Sequence, residues 1–138
     1  MKIIVTSHGD FCQGILDSYQ MIAGENPHLR SISLTDAGIK DFSERFNKLL
    51  KEFESEEVLI LTDIKGGTPY NEAYSYYLLH EERVRVIAGM NLPMVIEIGP
   101  NLLNSSSLAD LYASAIEIGQ QSITGVVTEM VPENDLEF

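Results

Sequence analysis

Short runs of apolar, β-branched residues alternate along the chain with longer stretches whose apolar positions recur at helical spacing. That alternation is the signature of βαβ units, in which a mostly parallel sheet is covered by helices on both faces. The first strand is predicted over about Lys2–Thr6, and a helix over Cys12–Ala23 that Gly24 ends, with Pro27 shortly beyond. A second strand fits Leu29–Leu34, after which Thr35-Asp36 offers a helix cap. The apolar stripe of that helix is Ile39, Phe42, Phe46, Leu49, Leu50 and Phe53, opposite a solvated face of Lys40, Glu44, Lys48, Lys51 and Glu52. A third strand, Val58–Thr62, leads to a helix with Thr68 as N-cap and Pro69 in its first turn, packing through Tyr70, Tyr74, Tyr77 and Leu78. Val84–Ala88 alternates as a fourth strand, and a short helix fits before Gly99-Pro100. Ser107 then starts a last helix that buries Leu108, Leu111, Tyr112, Ala115 and Ile118. Thr124–Val131 is β-rich, and Pro132–Phe138 forms an acidic tail. A strand reached so soon after a helix has too little chain for a parallel crossover. It is expected to run antiparallel at a sheet edge, in its own subunit or a partner's.

No repeat or linker divides the 138 residues, so one domain spanning 1–138 is expected, large enough for a core without staples. The single cysteine, Cys12, excludes an internal disulfide and any multi-cysteine metal site, and reads as a small packed residue at a helix start. The apolar run at the N-terminus is shorter than that of a signal peptide. No segment reaches the roughly 18 uninterrupted apolar residues of a membrane span. A soluble cytoplasmic protein is therefore expected. The formal net charge of −12 repels nucleic acid and anionic membrane and speeds encounter with a basic partner. A phosphate-handling site in such a chain needs local donors that outweigh the global field.

Candidate chemistry collects at two strand ends. The first strand runs out in Thr6-Ser7-His8-Gly9, and the third in Asp63, then Ile64-Lys65-Gly66-Gly67-Thr68-Pro69. In open parallel sheets the crevice lies beyond the carboxyl ends of the strands, so His8 and Asp63 are predicted to meet there. Glycines allow a tight turn and close backbone approach, and the free amides of a helix start, with Thr68, can donate to an anion. Lys65 adds a positive charge. A histidine beside a carboxylate commonly serves as metal ligand, general base or nucleophile. Metal binding wants three or four clustered ligands, and His28 and His80 fall in a turn and near a helix end, at the far side of the sheet. No G-x-S-x-G elbow supports a serine hydrolase, and Ser7 reads as a local hydrogen-bonding residue. His8 is left as a nucleophile for a phosphoryl group, with Asp63 fixing its tautomer and stabilising the developing positive charge. Against this stands the plain alternative that a histidine after a strand is structural.

Three segments, Ile3-Ile4-Val5-Thr6-Ser7-His8-Gly9, Leu61-Thr62-Asp63-Ile64-Lys65-Gly66-Gly67-Thr68-Pro69-Tyr70-Asn71 and Ala88-Gly89-Met90-Asn91-Leu92-Pro93-Met94, resemble the enzyme IIA domain of the mannose family of the bacterial sugar phosphotransferase system. The resemblance extends to about Met130. It implies a doubly wound α/β sheet of four parallel strands, with a fifth, antiparallel strand near Gly125–Met130 exchanged across a homodimer. It also implies that His8 is phosphorylated on Nε2 while Asp63 holds Nδ1, with Thr68 near the phosphate and Asn91 in a loop by the same crevice. Phosphate would come from the phosphohistidine of the basic protein HPr and pass to a histidine of enzyme IIB, expected here as a separate chain. A membrane permease would then import the sugar, so contact with the membrane is indirect. No metal or cofactor is implied, and the sugar is not specified. Two other readings are a phosphocarrier subunit of a dihydroxyacetone kinase system and a non-catalytic module that binds an anion or partner in the crevice. A metal-dependent hydrolase comes third.

Overall fold

The protein is described from a computed structural model, and the description covers residues 1–104 and 107–128. Four strands, β1 (Lys2–His8), β2 (Leu29–Leu34), β3 (Val58–Thr62) and β4 (Val84–Ala88), form one sheet in the order β2-β1-β3-β4. Every pairing is parallel. Five helices connect or follow them: α1 (Phe11–Ala23), α2 (Ile39–Glu52), α3 (Thr68–Leu79), α4 (Leu92–Ile98) and α5 (Leu108–Gln121).

Strand parity assigns each face its core. Ile3 and Val5 of β1, with Leu59 and Leu61 of β3, pack under α1, α4 and α5. Ile4, Val58 and Ile60 point the other way and meet Phe42, Phe46, Leu49 and Leu50 of α2 and Ala73 of α3. Phe42 and Phe46 are fully buried and stack at a centroid distance of 5.5 Å. With both faces covered, β3 is buried along its whole length, which explains its unbroken apolar run. The fold is the doubly wound α/β architecture.

Several boundaries differ from the sequence expectation, each for a local reason. β1 continues past Thr6 because Ser7 and His8 stay in register with Ser33 and Leu34 of β2. The N-cap of α2 is Gly38, not Thr35 or Asp36; Thr35 instead accepts a hydrogen bond from the Ala37 N–H within the preceding turn. Ile39 consequently stands at the helix mouth, 56% exposed, outside the buried stripe. Gly67 occupies the N-cap of α3, with Thr68 as the first helical residue. Tyr74 and Leu78 of α3 remain exposed. Ser107 caps α5 as expected, accepting from the Asp110 N–H at 3.0 Å. Cys12 is buried at the start of α1.

β4 has a neighbour on one side only among the described residues. Beside its free edge lies a cavity of about 350 Å³, and Ile123, just after α5, is one of its walls. Residues 123–127 have no regular secondary structure in the single chain, and Ile123, Val126 and Val127 are exposed. The remainder of the expected fifth strand and the acidic tail lie outside the described residues. Among the described residues, no helix is long and apolar enough to cross a membrane.

Candidate functional site

From β1 the chain passes to β2 on one side, while β3 pairs with β1 on the other, so the strand order reverses between β1 and β3. Loops leaving the carboxyl ends of two such strands diverge and open a crevice. His8 is the last residue of β1 and Asp63 the first beyond β3. The two meet. Asp63 Oδ2 lies 2.7 Å from His8 Nδ1 and also accepts the His8 backbone N–H at 2.9 Å. Asp63 Oδ1 accepts the Ile64 N–H at 2.9 Å, while the Asp63 carbonyl accepts the Gly89 N–H at 3.1 Å.

The carboxylate is thus held from both oxygens. Burial pushes its pKa up, but hydrogen bonds from the His8 N–H, the His8 ring and the Ile64 N–H, with the charge of the imidazole, outweigh burial and hold Asp63 below its ordinary 3.8. An ionised carboxylate can only accept, so Nδ1 is the donor to Asp63, and in the neutral ring the lone pair falls to Nε2. The His8 side chain is 48% exposed against 12% for Asp63, so the imidazole reaches solvent while its anchor does not.

Beyond Asp63 the turn reverses direction through Gly66, whose φ of 87° suits only a residue without a Cβ. Gly67 and Thr68 then open α3. Its first-turn N–H groups of Thr68 and Tyr70 have no acceptor among the described residues, which leaves donors available for an anion. In front of His8 lies a cavity of about 470 Å³ lined by His8, Gly9, Asp10, Leu34, Thr35 and Asp36.

Three other candidates stand apart from this constellation. Ser7 faces the opposite side of the sheet and is buried; its hydroxyl donates to the Gly9 carbonyl and accepts the Cys12 N–H, which ties down the start of α1. Asn91 caps α4 by accepting the Met94 N–H, and its amide donates to the Gly119 carbonyl and Ser122 Oγ. Its polar groups are occupied in joining α4 to the end of α5. Lys65 and Asn91 both line the cavity at the β4 edge, not the one in front of His8. His28 and His80 sit at the amino end of the sheet and are half-buried rather than free on the surface. His28 Nδ1 is 3.2 Å from Lys2 Nζ, and the His80 ring is 4.3 Å from that of Tyr76. Sequence reading missed the acidic lip formed by Asp10 and Asp36, although each lies two residues beyond a strand end.

A doubly wound α/β domain that presents a carboxylate-held histidine at its topological switch point defines the class of this protein. Residues 2–116 match the family model described as "PTS system fructose IIA component". The chain is 36% identical over 124 residues to the fructose-specific EIIA component of Bacillus subtilis (strain 168), covering 88% of this chain and 84% of that protein. It is 29% identical over 131 residues to the sorbose-specific EIIA component of Lacticaseibacillus casei, covering 94% of each. The mannose/sorbose specific IIA subunit of Enterococcus faecalis superposes with a TM-score of 0.81 at 34% identity, over 96% of both chains. The chain belongs to the mannose-type enzyme IIA family of the phosphotransferase system, whose members act in sugar transport.

Proposed function

We propose that this protein is a phosphocarrier in which His8 takes a phosphoryl group from the phosphohistidine of HPr and passes it to a histidine of enzyme IIB. The observation that carries the reading is the pairing of Asp63 Oδ2 with His8 Nδ1 at 2.7 Å on a half-exposed ring, which in the neutral imidazole reserves the lone pair for Nε2. In the forward step the Nε2 lone pair attacks phosphorus, a new N–P bond forms, and the donor's N–P bond breaks with its electron pair returning to the donor imidazole. The positive charge that develops on His8 is met by Asp63. The spread charge on the phosphoryl oxygens meets the N–H groups of Gly66, Gly67 and Thr68 at the start of α3. Transfer to enzyme IIB is the same step reversed with a new acceptor, and a membrane permease completes uptake of the sugar.

The formal net charge of −12 suits a basic donor surface, and Asp10 and Asp36 beside His8 bring that charge to the site itself. A homodimer is part of the proposal. The edge of β4 left open among the described residues, the cavity along it with Ile123 in its wall, and the exposed Val126 and Val127 that follow suit an added strand from a second copy.

Incubation with phosphorylated HPr tests the proposal. The wild type should acquire acid-labile, base-stable phosphate and His8→Ala none. Label that persists in His8→Ala would remove His8 from the role.

A further inference from the structure

Gly66 and Gly67 are neighbours with different physical reasons for being glycine. Gly66 has the left-handed φ of 87°. Gly67 has φ −75° and ψ 167°, an extended conformation open to any residue. Backbone geometry therefore does not explain it. The neighbouring side chain does: a Cβ placed on Gly67 would lie 2.7 Å from His8 Cε1, 3.4 Å from His8 Nε2 and 3.4 Å from Ile64 Cγ1. The first distance is far inside van der Waals contact, and the atom it meets belongs to a ring whose Nδ1 is held by Asp63, which also holds the His8 backbone N–H.

We propose that Gly67 is a positioning residue for His8: its missing side chain is what lets the Cε1–Nε2 edge of the imidazole lie against the first turn of α3 while Nδ1 stays on Asp63. A methyl group at this position cannot coexist with both contacts. The ring must rotate away from the helix start, which breaks the Nδ1 bond to Asp63, or Asp63 and β1 must shift with it. The packing stands whatever the protein does; its consequence for transfer rests on the phosphocarrier reading.

Two measurements separate this role from ordinary loop structure. The first is a double-mutant cycle on thermal stability with Gly67→Ala and His8→Ala. Gly67→Ala should lower Tm in the wild-type background and leave it unchanged in the His8→Ala background, where the obstructing ring is gone. An equal loss in both backgrounds would overturn the proposal. Should Gly67→Ala fail to fold alone, the double variant must restore folding; if it does not, the proposal is wrong. The second is long-range ¹H–¹⁵N NMR of the imidazole. The wild type should show one neutral tautomer with the proton on Nδ1, and Gly67→Ala a mixture or a reversal. Gly14→Ala, in α1 with no neighbouring atom within 4 Å of an added Cβ, should leave the tautomer unchanged. A single wild-type tautomer in Gly67→Ala would also refute the idea. Phosphoryl transfer to Gly67→Ala should fall by roughly 100-fold, the scale of an ångström-sized misplacement of a reacting group. If the wild type itself accepts no phosphate while the stability cycle shows coupling, the phosphocarrier reading falls and the positioning role remains.

Discussion

One carboxylate oxygen, Asp63 Oδ2, holds both the backbone N–H and the ring of His8, so the reactive side chain is fixed relative to its own strand as well as to β3. Asp63 has a lowered pKa in the fold, so its ionised form contributes stability above its ordinary value of 3.8, and that contribution is lost as pH falls through the lower folded value. Stability measured by urea denaturation should therefore decline as pH falls below about 4, with Asp63→Asn flattening that part of the curve. Asp63→Ala leaves the His8 and Ile64 N–H groups without acceptors and should cost about 1–3 kcal/mol at neutral pH. The His8–Asp63 pair was legible because each follows an apolar strand directly. Ser7 hydrogen-bonds locally as its sequence suggests, since it shares the parity of Ile3 and Val5 and so turns toward α1. The basis of Gly67 was not legible, because a glycine needed for its φ and one needed for a neighbour's ring are the same letter.

At the scale of elements, helical period and cap residues located the helices seen among the described residues, but the apolar stripe overstated what α2 buries. Phe42 lies at 0% exposure in stacked contact with Phe46, whereas Ile39 stands 56% exposed at the helix entry. Phe42→Ala should cost about 3–5 kcal/mol in chemical denaturation. Ile39→Ser should stay within about 0.5 kcal/mol, as for most surface sites. Comparable losses at the two positions would mean that Ile39 is covered in solution. The difference arises because the chain enters α2 through Gly38, at a φ of 98°, instead of through a Thr35 or Asp36 cap. Side-chain capping is a local preference, and the turn from Leu34 along the front of His8 overrides it. β1 likewise outran its apolar run, because pairing with β2 depends on backbone groups that Ser7 and His8 supply as well as any β-branched residue.

For the molecule as a whole, the alternation of strands and helices was enough to indicate a covered parallel sheet. Which strands are neighbours was not written in that pattern, and the position of the crevice depends on it. The order β2-β1-β3-β4 places the switch point between the two strands that carry His8 and Asp63. An overall charge of −12 acts at this scale as well. Association with a basic phosphoryl donor should slow by about 10-fold or more between low and high salt, measured by stopped-flow, while a salt-independent rate would argue against electrostatic steering.

The most direct measurement is the identity of the nitrogen that carries phosphorus. After transfer from phosphorylated HPr to ¹⁵N-labelled protein, NMR should show phosphorus coupled to Nε2 of His8, with Nδ1 still protonated against Asp63. Phosphorus on Nδ1, or on any residue other than His8, would contradict the role assigned to the His8–Asp63 pair.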